Sequence, residues 1–226
     1  MIVKNTFQVR TQSSYLGGVR LLYRGFMIVL SIDNFAKGRY KVTLDNGESL
    51  VLYTGELGKL HIKEEAELGE AEYKKIMQEI LPKRAKLRGL NLLQKRPYTE
   101  HQLRQKYADG GYPQVIADEA IAYLKGLNLI DDYEYARTFM TYKSSQKSVK
   151  RMMMDLSQKG ISKDVIQSAL ASLEEDGDLS DERELIVKIL EKRHYNPEEA
   201  TYEEKQKIRA YLYGKGFDMD AIRRLT

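Results

Sequence analysis

The feature that most constrains this chain is a pattern that returns. Laying residue n against residue n + 49 puts Leu103 on Met152, Tyr107 on Leu156, Gly111 on Gly160 and Tyr112 on Ile161. The same offset sets Ile116 on Val165, Ala120 on Ala169, Ile121 on Leu170 and Leu124 on Leu173. A further step of 56 carries Met152 to Ile208, Leu156 to Leu212, Gly160 to Gly216, Ile161 to Phe217 and Ile166 to Ile222. The extra residues fall around Tyr195-Asn196-Pro197, a natural loop. Apolar residues at this spacing give a helix one inward face, and a glycine behind them supplies the left-handed residue that ends it. Each copy reads as three helices: 83–95, 99–109 and 113–126; then 132–144, 148–158 and 162–174; then 180–194, 202–214 and 218–225. Units this small bury too little surface alone, so neighbours have to stack. The expected fold is mainly α: tandem three-helix repeats stacked into an elongated body, preceded by a small antiparallel β-sheet.

The expected organisation runs in five parts. Residues 1–26 read as a poorly packed extension, 27–81 as a β-hairpin or sheet plus a helix, and 82–130, 131–176 and 177–226 as the three repeats. The β prediction rests on Met27 to Ile32, Arg39 to Leu44 and Ser49 to Tyr53, runs rich in Val, Ile, Leu and Tyr. Asn46-Gly47 between the last two is a strong hairpin-turn signal, because both residues tolerate positive φ. Glu70 to Leu81 has helical spacing, and Pro82 breaks or restarts that helix.

Within the middle repeat, Asp131 or Asp132 is placed to cap a helix that turns Tyr135, Ala136, Phe139 and Met140 to one side. Gly160 and Ile161 close the next helix. The Asp131-Asp132 pair could suggest magnesium, but capping accounts for it better.

Composition excludes several classes. With no cysteine there is no disulfide framework, thiolate nucleophile or cysteine-ligated zinc. No apolar run is long enough for a membrane span or signal-peptide core, so the expectation is a cytoplasmic monomer with no membrane partner. His61, His101 and His194 stand in unrelated segments and no glycine-rich phosphate loop is present, so neither catalysis nor a cofactor or metal is expected.

Net charge is only +4, but its distribution is uneven. Lys83, Arg84, Lys86, Arg88, Lys95, Arg96, Arg104 and Lys106 face only Glu100, and then Asp109, Asp118, Glu119, Asp131, Asp132 and Glu134 follow. In the middle repeat Arg137, Lys143, Lys147, Lys150 and Arg151 precede Glu174, Glu175 and Asp176. First and second helices are basic; third helices and their turns are acidic. Stacking would line the cations into a stripe able to attract a phosphate backbone without reading sequence.

Three elements resemble a known family. Arg96-Pro97-Tyr98-Thr99-Glu100-His101-Gln102-Leu103, Leu129-Ile130-Asp131-Asp132-Tyr133-Glu134-Tyr135-Ala136 and Leu156-Ser157-Gln158-Lys159-Gly160-Ile161 are similar, in order, to motifs of the RecX regulatory proteins. Two positions depart from that pattern: Lys147-Ser148 and Glu65 stand where the family often has glycine. The resemblance implies a binding protein that docks on the RecA recombinase filament and restrains strand exchange and ATP hydrolysis, with single- or double-stranded DNA met through non-specific backbone contacts. The alternative is a helix-turn-helix-like protein acting directly on DNA. Against it, the third helices begin Pro113-Gln114-Val115 and Ser162-Lys163-Asp164, followed by acids, where base readout wants Arg, Lys, Asn or Gln.

Overall fold

The computed structural model describes residues 26–226 and, ahead of them, the backbone of two paired antiparallel strands, β1 (Tyr15–Leu16) and β2 (Val19–Arg20). The expectation of a poorly packed 1–26 extension otherwise lies outside the described residues.

Four strands form an antiparallel sheet in the order β5-β4-β3-β6: β3 (Phe26–Ala36), β4 (Arg39–Leu44), β5 (Ser49–Tyr53) and β6 (Glu67–Gly69). Val42 and Leu44 alternate inward on β4, and Leu50, Val51 and Leu52 are all buried on β5. The Asn46-Gly47 turn differs in one respect from its sequence reading. Gly47 has φ 86°, but Asn46 stays at negative φ, and Leu44 and Glu48 close a three-residue loop. This is the hairpin geometry in which a single left-handed residue suffices. Strand β6 has no counterpart in the sequence reading, since three residues carry too little alternation to register. Glu65, where the family often has glycine, takes the left-handed backbone itself, with φ 58°. Helices α1 (Thr54–Lys59) and α2 (Glu70–Lys75) flank this segment. A π-helical turn, Ile76–Ile80, leads directly into α3 (Leu81–Leu93), so Pro82 restarts the helix in a first turn, where its missing N–H costs little.

The nine helices α3 to α11 are the three repeats. They are α3, α4 (Glu100–Ala108) and α5 (Gln114–Gly126); α6 (Asp132–Lys143), α7 (Val149–Gln158) and α8 (Lys163–Asp176); and α9 (Glu182–Lys192), α10 (Tyr202–Gly214) and α11 (Met219–Leu225). Positions aligned by the repeat are buried together: Leu103, Met152 and Ile208, then Tyr107, Leu156 and Leu212. Gly111, Gly160 and Gly216 all have left-handed φ, at 71°, 84° and 91°. Side chains cap the helices of the second and third repeats. Asp131, Ser148, Ser162, Asp181, Thr201 and Asp218 each accept from a first-turn amide of α6 to α11 respectively.

The chain divides into two compact units. Of the described residues, one holds 26–87 and Tyr107–Ala120; the other holds Arg88–Lys106 and Ile121–Thr226. The first repeat therefore contributes to both, and the second and third repeats lie wholly in the latter.

Candidate partner-binding surface

Neighbouring repeats are joined by a polar clasp that occurs twice. The Thr99 hydroxyl, buried at the start of α4, donates to the carbonyl of Lys159, just before Gly160. One repeat later the buried Ser148 hydroxyl donates to the carbonyl of Lys215, just before Gly216. A carboxylate completes each clasp. Asp132 accepts from the Glu100 N–H at 2.9 Å, and Glu182 accepts from the Val149 N–H. The two aspartates that open α6 thus divide the work. Asp131 caps its own helix through the Tyr133 and Glu134 amides, and Asp132 reaches the preceding repeat. Burial raises the Asp132 carboxyl above the usual range against the opposing pull of the Glu100 N–H. Glu100 is held below it, first by its hydrogen bond from Lys125 and also by Arg104. Ser148, one of the two departures from the family pattern, has ordinary extended backbone at φ −64° and needs no glycine.

The cations read from the sequence separate into two groups. Several are engaged inside the protein. Arg84 is inward: it pairs with Glu56 at 2.9 Å, donates to the Val51 carbonyl, and lies against the Tyr53 and Tyr112 rings. Arg88 donates to the Lys106 carbonyl, Lys86 pairs with Glu119 at 2.7 Å, and Arg104 pairs with Glu100 at 2.8 Å. Arg137 binds Ser172 and Asp176, and Lys147 and Arg151 share Asp155. Others are turned outward. Lys83, Lys95, Arg96 and Lys150 are exposed, Arg96 over the buried Tyr98 ring and Lys150 near Tyr213. Lys143 reaches Gln146 and the 68 % exposed Tyr142. The charge alternation is therefore partly neutralised within each repeat, since Lys86–Glu119 and Arg137–Asp176 each join a first helix to its own third helix.

Elsewhere the structure gathers cations that the sequence reading left aside. A groove of about 850 Å³ opens where the start of α7 meets the ends of α9 and α10. Lys192, Arg193 and Lys215 line it beside Lys147 and Arg151, and no lining residue is acidic. Arg193 lies 3.7 Å from the centroid of Tyr211, and Lys215 lies 5.4 Å from it. The sequence hints are the adjacent Lys192 and Arg193, diluted by the glutamates of that repeat, and Tyr211 and Lys215 at i and i+4. Among the described residues no helix is long and apolar enough to cross a membrane.

Comparison with known proteins matches all three repeats. Residues 85–124, 131–170 and 181–226 fit the first, second and third three-helix domains of RecX. The regulatory protein RecX of Caldanaerobacter subterraneus subsp. tengcongensis is 30% identical over 191 residues, covering 84% of this chain and 89% of that protein. This chain belongs to the RecX family. A second RecX, from Finegoldia magna, is 29% identical over 206 residues, 88% of this chain and 98% of that protein. The crystal structure of RecX from Lactobacillus salivarius superposes with a TM-score of 0.54 at 25% identity, over 64% of this chain and 93% of that one. Another RecX crystal structure, at 24% identity, shares the fold with a TM-score of 0.57 over 87% of this chain and 97% of that one. The RecX repeat, mainly α and preceded by a small antiparallel sheet, is thus the architecture of this chain.

Proposed function

We propose that this RecX protein docks on the RecA–DNA filament and restrains strand exchange and ATP hydrolysis, acting as a cytoplasmic monomer by binding and not by catalysis. The observation that carries the reading is the match of all three repeats, in order, to a family of regulatory proteins. The outward cations support it. Lys83, Lys95, Arg96, Lys143 and Lys150 are available to a phosphate backbone, whereas Arg84, Arg88 and Arg137 serve the fold. Contacts of this kind hold a partner by counterion release and read no sequence. The test is RecA-driven strand exchange and DNA-dependent ATP hydrolysis with the purified chain added. Inhibition at stoichiometric or lower amounts is expected, weakening with salt; no effect in stoichiometric excess refutes the reading.

A further inference from the structure

The junction of the first and second repeats holds a cleft whose lining the fold does not require. The cleft, of about 460 Å³, opens where the segments ahead of α4 and α6 meet one face of α6. Tyr98, Leu129, Tyr135, Phe139 and Tyr142 line it. The next junction is closed by the same clasp with different side chains. Lys147 precedes Ser148 as Tyr98 precedes Thr99, and Lys192 follows Glu182 at the interval by which Tyr142 follows Asp132. Stability therefore does not demand rings at these places. Nor does it demand that Tyr142 be 68% and Leu129 44% exposed. Exposed apolar surface rimmed by polar groups marks an interaction site.

The rim sets the charge of the occupant. Asp131 and Glu134 line the cleft from the start of α6, against Arg96 as the one cation in its lining. Glu134 is exposed and has no ion-pair partner among the described residues. Both amides capped by Asp131 bond to its Oδ1, which leaves Oδ2 outside the cap. The rings attract cations, as the chain's own side chains show. Arg96 lies 3.9 Å from the centroid of Tyr98. Lys143 and Lys159 approach Tyr142 and Phe139 at 4.7 and 5.7 Å, but neither lines the cleft. We propose that this cleft docks a basic amphipathic peptide segment of a partner protein. The stem of an arginine or lysine lies across Phe139 and Tyr142 with its charged head at Glu134 and Asp131, and an apolar neighbour rests on Leu129. An acidic segment would set its carboxylates against those two, which Arg96 alone does not offset. The proposal goes beyond the filament reading and is tested without recombinase or DNA.

The experiment titrates the full chain into two short labelled peptides, one alternating arginine with leucine and one alternating glutamate with leucine, and reads fluorescence anisotropy. The basic peptide should bind. Glu134→Gln/Tyr142→Ala should weaken it about tenfold, through the lost ring and the lost charge together. Both residues are exposed, so the melting temperature should stay near wild type. Thr138→Arg puts a cation of the chain's own into the cleft and should abolish binding, should the double variant melt early. Glu175→Gln, on an exposed site of α8, should change little. Wild type that ignores the basic peptide overturns the proposal, as do unchanged affinity in the folded cleft variants and equal loss from Glu175→Gln. Binding of the acidic peptide that the cleft variants abolish overturns it in favour of an acidic partner. Self-association that Tyr142→Ala abolishes overturns it in favour of a second copy of this chain. The filament reading stands or falls separately, on recombinase activity.

Discussion

The Thr99 hydroxyl lies 2.7 Å from the carbonyl oxygen of Lys159, and it is wholly buried there. The Thr99 hydroxyl oxygen also accepts from the Gln102 N–H at 3.2 Å, so one side chain caps its own helix and ties down the end of a helix in the next repeat. Ser148 repeats both contacts, with Lys215 at 3.0 Å and the Arg151 N–H at 3.2 Å.

Thr99→Val keeps the shape and removes both bonds, depriving a part-buried carbonyl and a helix-start amide of the Thr99 hydroxyl. The expected loss is about 1–3 kcal/mol by chemical denaturation. Thr99→Ser keeps the hydroxyl and should cost well under half as much. Equal losses for the two would show that the methyl group matters and the clasp does not.

Gly160 is constrained twice. Its φ of 84° disfavours any side chain, and a Cβ there would overlap both the Cβ and the ring of His101, of which His101→Ala removes only the ring. Gly177 has φ 72° with open space around it, so it isolates the backbone part. Gly177→Ala should cost on the order of 1 kcal/mol. Gly160→Ala should cost more, and Gly160→Val more again. Adding His101→Ala should return part of the Gly160→Ala loss while leaving the Gly177→Ala loss unchanged. A strictly additive double-mutant cycle between positions 101 and 160 would contradict the contact.

These two contacts show which parts of the protein were legible in its sequence. The helices were, because burying one face forces apolar residues to recur at helical spacing and forces glycine where φ turns positive. The clasp was not, because its partners stand 60 and 67 residues apart and serine or threonine before a helix already has a reason to be there. The charge alternation was visible, but not its meaning: Arg137 to Asp176 looks the same in a sequence whether the two ions meet or face opposite ways. The groove was hidden for a related reason. Its cations come from the ends of separate helices, and only the turn geometry around Gly216 and His194 brings them to one place.

Asp132 and Glu100 should titrate away from their ordinary ranges in opposite directions. Burial holds the Asp132 carboxyl above its ordinary range, so the folded protein takes up that proton more readily than the unfolded chain. The stabilising effect of this proton is present at low pH and lost as pH rises through the folded value. Glu100 is held low by Lys125 and Arg104, so its contribution is present above the unfolded value and lost as pH falls through the folded one. Carboxyl carbon NMR during acidification should show Asp132 protonating above the ordinary aspartate range and Glu100 below the ordinary glutamate range. Asp132→Asn, which keeps an acceptor for the Glu100 N–H without the charge, should be tolerated at neutral pH. An Asp132 titration below the ordinary range would mean that the Glu100 amide, not burial, governs it.

Reversing Lys147, Lys150 and Arg151 to glutamate would appear from their position at the start of α7 to touch only the surface. The structure leads to a different expectation. The Asp155 side chain is only 12% exposed, and its two ion partners are Lys147 and Arg151. Replacing both would set two new carboxylates beside a largely buried one. The expected destabilisation is on the order of 2 kcal/mol, less than for a fully buried pair, because both cations are a third or more exposed. Lys150→Glu alone should leave the melting temperature nearly unchanged, as Lys150 is exposed and, among the described residues, lies near the Tyr213 ring without an ion-pair partner. Adding Asp155→Lys to Lys147→Glu/Arg151→Glu should restore part of the loss by exchanging the signs. Thermal melts of these variants decide the matter. If the triple reversal melts with wild type, the Asp155 pairs contribute nothing to the fold, and lost binding in that variant could be assigned to the surface alone.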